Sequence, residues 1–288
     1  MTKQSIGLLG ANSLVGECLL PLLIERDIQV YAFSRKPHES SADGVIWQDV
    51  SAPVSIGTGQ LVTWLCAAPI WVLPNYFPLM EESGVRRIVA LSSTSLFTKD
   101  DSSDPEERAV ALKLADAEAR IQTWAERCGV AWIVLRPTLI YGCGKDKNIA
   151  EIARFIHRFG FFPLFGKALG LRQPIHARDI AGVCVMALQM PGVKNCAYNI
   201  SGGETLPYRE MIFRVFEALG RPCRMLPVPL WAFRVAIKLL HCLPRSRHWS
   251  TAMAERMNRD LVFDHSDAAN DLDFSPRLFQ LTSEDLPI

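Results

Sequence analysis

Over the first 140 residues, short apolar runs alternate with stretches whose apolar positions recur every three or four residues. The runs at 6–9, 30–33, 45–47, 61–66, 87–91 and 132–135 predict strands, and the stretches 14–25, 75–82 and 105–127 predict helices. Apolar strands joined through helices by short connections imply a parallel sheet covered on both faces. The last of these helices is the best marked. Asp104 stands at its N-cap, Pro105 in its first turn and Glu107 three residues on, which predicts a capping box. Val110, Leu114, Ala117, Ile121, Trp124 and Cys128 form its apolar stripe, and Gly129 ends it. Beyond Gly142 the alternation loosens, returns around 174–200 and then turns mostly helical. The expected fold is an α/β doubly wound parallel sheet over 1–144, rejoined by 174–200. A second, smaller, mostly helical lobe is expected from 145–173 and 201–288.

Composition narrows the classes. Hydrophobic residues make up 49% and charged residues 21% of the 288, a globular balance that argues against disorder. A net charge of +1 gives no support for a nucleic-acid partner. No stretch has the length and unbroken apolarity of a spanning helix, and the first ten residues are too polar for a secretory signal. The eight cysteines are scattered without a C-x-x-C pair, so free thiols, a cytoplasmic setting and no metal site are expected. The stretch 229–243 reads as an apolar helix carrying Arg234 and Lys238, with Arg247 soon after. It suits a second-lobe helix over the substrate cleft, or a basic helix lying on an anionic membrane surface. Hydrolase, NTPase and zinc-protease motifs are missing from the sequence.

Gly7, Gly10 and Gly16 follow the first strand and open the first helix. In that setting glycines permit a tight turn and close approach of N–H groups to a pyrophosphate; the plainer reading is an ordinary turn. At the end of the second strand, Ser34 takes the place where an acidic residue would accept from the ribose of NAD, and Arg35 and Lys36 follow. A guanidinium suits a 2′-phosphate, so NADP is favoured and NAD is the runner-up; the alternative is a solvated basic pair.

The segment Gly10-Ala-Asn12-Ser13-Leu14-Val15-Gly16 resembles the G-x-x-G-x-x-G loop of the extended and atypical short-chain dehydrogenases, in their nucleotide-sugar epimerase/dehydratase branch, with Ser13 at the middle glycine. Further stretches resemble the same family: Asp49 after the third strand, Cys66-Ala67-Ala68-Pro69, Ser92-Ser93-Thr94-Ser95, Arg136-Pro137-Thr138 through Tyr141-Gly142, Arg172 through His176 to Asp179, and Gly202-Gly203-Glu204. The resemblance implies a cofactor held by the glycine loop, Ser34, Arg35, Lys36, Asp49, Ala67, Ala68 and Pro137. It implies a nucleotide-sugar bound by Thr138, Asn148 and Arg172, with Lys145 nearby. A homodimer is compatible with it.

The chemistry implied is hydride transfer, in which a Tyr moves the hydroxyl proton, a Lys four residues on lowers its pKa, and a Ser or Thr bonds the same oxygen. Thr94 is the first candidate for that hydroxyl and Ser93 the second. The tyrosine is missing. Counting back from Lys113 gives Ala109, and a shift of one gives Val110 and Leu114. Tyr141 and His176 are the candidate substitutes, although His176 also reads as a packed histidine at a strand end. Two functions compete. One is an NADP(H)-dependent epimerase/dehydratase-like oxidoreductase; the other is a silent NADP(H)-binding sensor or scaffold.

Overall fold

The computed structural model describes residues 4–35, 44–50, 61–229 and 251–287. Strands β1 (Ser5–Leu9), β2 (Gln29–Ser34), β3 (Val45–Asp49), β4 (Thr63–Cys66), β5 (Arg87–Leu91), β6 (Ala131–Pro137) and β11 (Cys196–Ile200) form one sheet. Their order is β11-β6-β5-β4-β1-β2-β3, and every pair is parallel. Successive side chains of a strand point to opposite faces, so each face needs its own cover. Helices α1 (Leu14–Ile24) and α6 (Ala177–Gln189) cover one face, over Ile6, Leu8, Val30, Leu65, Val89 and Ile133. Helix α4 (Pro105–Cys128) and the 3-10 segment Ile70–Tyr76 cover the other, over Leu9, Trp64, Ile88, Ala90 and Val134.

Two local expectations are corrected. The helix expected over 75–82 is a 3-10 segment ending at Tyr76, followed by α2 (Phe77–Glu82). Pro74 has no N–H to give an i−4 carbonyl, which suits the tighter turn. At the head of α4, Asp104 caps as expected and accepts from Glu106 N at 2.9 Å. Glu107 does not complete a capping box. Its carboxylate takes the Ser102 hydroxyl at 2.8 Å and the Arg256 guanidinium instead.

Among its described residues the second lobe has more helix than strand, with short strand pairs beside the helices. Helices α5 (Ile149–Phe159) and α7 (Tyr208–Ala218) pack with β8 (Phe162–Phe165) and β13 (Met225–Val228), a parallel pair. Strands β9 (Leu171–Arg172) and β12 (Leu206–Pro207) form an antiparallel pair, and β7 (Ile140–Tyr141) and β10 (Ile175–His176) a parallel one. Pro163, Pro207 and Pro227 interrupt these strands, and two-residue strands show no period, so the sequence reads as loop there. The basic apolar stretch from 230 onward, with Arg234, Lys238 and Arg247, lies outside the described residues.

The chain between β7 and α5 is held by the carboxyl-terminal segment. Gly142 and Gly144 have φ of +122° and +61°, and Cys143 between them has +55°. A Cβ on Gly142 would meet His176 Nε2 at 2.6 Å, so only glycine fits. Asp285 accepts from His176 Nε2 at 3.0 Å, Cys143 N at 3.1 Å, Thr282 N at 3.0 Å and Thr282 Oγ1 at 2.9 Å. His176 Nδ1 accepts from Arg178 N at 3.1 Å, which leaves the proton on Nε2. Burial pushes the Asp285 carboxyl up, but the bonds from His176, Thr282 and Cys143 together hold it well below the usual carboxylate range.

Candidate active site

The sheet order turns at β1, which has β2 on one side and β4 on the other, and in such sheets the crevice beyond that point takes the ligand. Gly10 ends β1 with φ +81°, and a Cβ there would meet Ala68 N at 2.3 Å. A Cβ on Gly16 would meet Gly10 O at 2.1 Å. The loop therefore lies flat on the residues after β4, with α1 starting directly against it. Ser13, at the family's middle glycine, is the N-cap of α1, and its Oγ accepts from Gly16 N at 3.0 Å. The N–H groups of Leu14 and Val15 have no hydrogen-bond partner among the described residues. Two unpaired donors at the positive end of an eleven-residue helix fit a phosphate.

Asn12 and the end of β2, expected at the ribose, meet at the edge of this crevice. Asn12 Nδ2 donates to Ser34 Oγ at 2.7 Å, and Ser34 pairs in register with Asp49 across β2 and β3. Arg35 is exposed, and its charge acts on Tyr76, whose phenol is raised by burial and by Cys66 and drawn back by Arg35. Lys36 lies outside the described residues. Ala67 follows β4 and donates its N–H to Leu9 O at 2.8 Å, which ties the floor of the crevice to β1.

A cleft of about 570 Å³ opens beyond the carboxyl ends of β5 and β6, against the second lobe. Ser93, Thr94, Pro137, Thr138, Asn148 and Arg172 all line it. Thr94 Oγ1 donates to Pro137 O at 3.2 Å, which presents its lone pairs to the cleft. Ser93 Oγ accepts from Ser95 N at 3.1 Å and keeps its proton to give. Neighbouring Ser92 donates to Glu118, which clamps Arg136 at 2.6 and 3.1 Å. Asn148 Nδ2 donates to Ile140 O at 3.1 Å, and Thr138 Oγ1 to Gln173 O.

Arg172 is more committed than its motif suggests. It bonds the carbonyls of Leu171 at 2.7 Å, Arg259 at 2.8 Å and Arg256, and lies 5.4 Å over the Tyr208 ring. A guanidinium has five N–H groups, so two remain for a ligand. Burial pushes Arg172 down to about 10. Around it the cleft gathers Lys99, Lys147 and Arg256 against Glu151, the single lining carboxylate among the described residues. Lys99 is drawn below the ordinary lysine range by burial and then by Arg256. Arg256 and Arg259 also bond Glu107 and, at 2.7 Å, Asp101, and so clasp the second lobe to the chain at and before the head of α4.

Three expectations are placed elsewhere by the geometry. Lys113 is exposed on α4, and no α4 residue lines the cleft. Ala109 is exposed, Val110 packs against the core and Leu114 is buried, so neither register puts a proton-transfer group there. Lys145 bonds Glu17 on α1 at 2.6 Å rather than lining the cleft. The candidate substitutes also lie outside the lining. Tyr141 is buried, bonds Gln280 O at 3.4 Å and is pushed by burial up to about 12; His176 belongs to the Asp285 cluster. Tyr208 supplies the phenol that does line the cleft, and burial pushes it up to about 12. Sequence reasoning missed Lys99, Lys147, Tyr208 and Arg256, which carry no motif. Lys99 and Lys147 show only a lysine among polar neighbours, as a solvated loop would, and Tyr208 and Arg256 show no signal.

Residues 75–201 match the model of the NAD dependent epimerase/dehydratase family. A UDP-glucose 4-epimerase of Vibrio cholerae is 25% identical over 168 residues, 55% of this chain and 51% of that protein. An NAD(P)H azoreductase of Xenophilus azovorans is 33% identical over 110 residues, 38% of this chain and 36% of that protein. The chain spans about half the length of the first curated relatives it matches. Among solved structures, a UDP-glucuronic acid 4-epimerase of Bacillus cereus in complex with NAD aligns with TM-score 0.70 and 12% identity, over 98% of this chain and 95% of that one. A UDP-glucose 4-epimerase of Thermotoga maritima with UDP-glucose aligns at 0.68 and 15% identity, over 96% and 94%. These structural likenesses show the fold.

Proposed function

We propose that the chain is a member of the extended short-chain dehydrogenase/reductase superfamily, binds NADP(H) and works as an epimerase/dehydratase-like oxidoreductase on a nucleotide-sugar or related anionic small molecule. The observation that carries this reading is the cleft itself, where the hydroxyls of Ser93 and Thr94 stand beside four cations and one carboxylate among the described lining residues. The cofactor would lie along Gly10–Gly16 with its phosphates at Leu14 N and Val15 N, and would supply or accept a hydride. Ser93 would donate to a substrate oxygen, while Arg172 and Arg256 would hold a negatively charged group. The absent tyrosine favours a second reading, in which the site binds cofactor and ligand without turnover. A reducing, cytoplasmic setting suits either.

Arg35 decides the cofactor. NADP(H) is expected to bind more tightly than NAD(H) by roughly 1.5–3 kcal/mol, on the order of ten- to a hundred-fold, and Arg35→Ala should erase the difference. Titration calorimetry reads it, and equal wild-type affinities would refute the NADP assignment.

Turnover separates the two readings. Loss of a positioned proton donor costs about 10²–10⁴-fold, so slow NADPH oxidation or NADP reduction is expected across a nucleotide-sugar panel. Ser93→Ala and Thr94→Ala should lower it further, and Lys113→Ala should not. Binding without any turnover would favour the sensor. Rapid oxidation of a simple alcohol, unaffected by Thr94→Ala, would show the reacting centre to be elsewhere.

A further inference from the structure

Outside the cleft, two half-buried cysteines from distant parts of the chain meet. Cys18 Sγ on α1 lies 3.8 Å from Cys143 Sγ, across 125 positions of sequence. No other sulfur–sulfur contact is present among the described cysteines. The surroundings hold both partners in place. Beside the sulfurs, Lys145 Nζ bonds Glu17 Oε2 at 2.6 Å, so two consecutive residues of α1 dock on the loop. On the loop's other side, Cys143 N donates to Asp285, and Gly144 leaves room for Leu286 O, which a Cβ would meet at 2.9 Å. The Cys143 backbone, at φ +55°, is thus gripped from both sides.

We propose that Cys18 and Cys143 form a redox-active pair that closes to a disulfide when the protein meets a low-molecular-weight disulfide such as oxidised glutathione. Two thiols already in contact need only a short approach to bond, without the backbone rearrangement that distant cysteines require. Burial, and then Cys143 itself, push the Cys18 thiol up to about 12, so Cys18 enters last, as the resolving thiol. In the first step the Cys143 thiolate attacks one sulfur of the oxidant and expels one glutathione thiolate, leaving a mixed disulfide. Cys18 then loses its proton, attacks Cys143 Sγ and expels the second glutathione. Two protein thiols lose two electrons and two protons, and one oxidised glutathione becomes two reduced ones. The bond would tie the helix that presents Leu14 N and Val15 N to the segment leading to Asn148 in the cleft.

The test is a thiol count and peptide map of the intact protein after incubation with oxidised glutathione. The expected result is loss of two of the eight thiols, a cross-linked peptide pair containing Cys18 and Cys143, and full recovery with dithiothreitol. Cys18→Ser should instead retain one glutathione on Cys143. An unchanged thiol count, or adducts and cross-links that leave out this pair, would overturn the proposal. The wild-type map needs no variant to fold and no cofactor or substrate, so it stands apart from the test of the functional reading.

Discussion

Replacing Asp285 by alanine is expected to cost about 3–5 kcal/mol of folding stability, the range for removing one partner of a buried charge-assisted cluster. Asp285 is 4% and His176 3% exposed, so water cannot replace the lost carboxylate. The change leaves His176 Nε2–H, Cys143 N–H and Thr282 N–H without an acceptor. Urea unfolding at neutral pH measures the loss, and a change below 1 kcal/mol would contradict it. The pH dependence has a definite sign. The folded pKa of Asp285 lies below the unfolded value of about 3.9, so its stabilisation is present above that value and is lost as pH falls towards the folded one. The gap between wild type and Asp285→Asn should therefore narrow below about pH 4. A gap that stays constant into acid would show that the charge contributes nothing.

Arg172→Ala is expected to have the next largest effect, about 2–4 kcal/mol, and to act on stability and on ligand binding together. Three carbonyls, of Leu171, Arg256 and Arg259, lose their donor, and the helix end that carries Arg256 into the cleft loses its tie to β9. Relief of a buried cation offsets part of the cost. Arg172→Lys separates the roles, because an ammonium keeps the charge but cannot reproduce the planar fork. Thermal melts should show both variants destabilised. Calorimetry with UDP should show binding weakened in both, with NADP(H) affinity nearly unchanged. Unaltered stability in Arg172→Ala would mean that the three carbonyl bonds are incidental.

The sheet was legible because its strands are apolar on both faces and its helices carry whole stripes and caps. The crossover positions Gly10 and Gly16 were equally legible, since the chain there tolerates no Cβ. The second lobe was not. Strands such as β9 and β12 are too short for a period, and proline masks β8 and β13. At the cleft, motif residues told where Thr94, Thr138 and Arg172 would lie, but not what they would bond. Arg172 looked like a ligand anchor, and it spends three N–H groups on backbone carbonyls. Arg256 and Lys99 were invisible for a different reason: they come together only through tertiary packing, 157 positions apart, and neither has a local partner that marks it.

The tie between Asp285 and the Gly142–Gly144 loop also has a consequence in time. A chain made from its amino end delivers Asp285 142 residues after Cys143. At 5–20 residues per second that interval is roughly 7–30 s, long against the formation of helices and local turns. Strands β1 to β5 can pair within it, since all their partners have already emerged. The loop cannot settle, because the acceptor of its central N–H does not yet exist, and His176 waits without its carboxylate. The first strands of the sheet therefore mature first, and the loop after β7 is set only when the late segment arrives to close it.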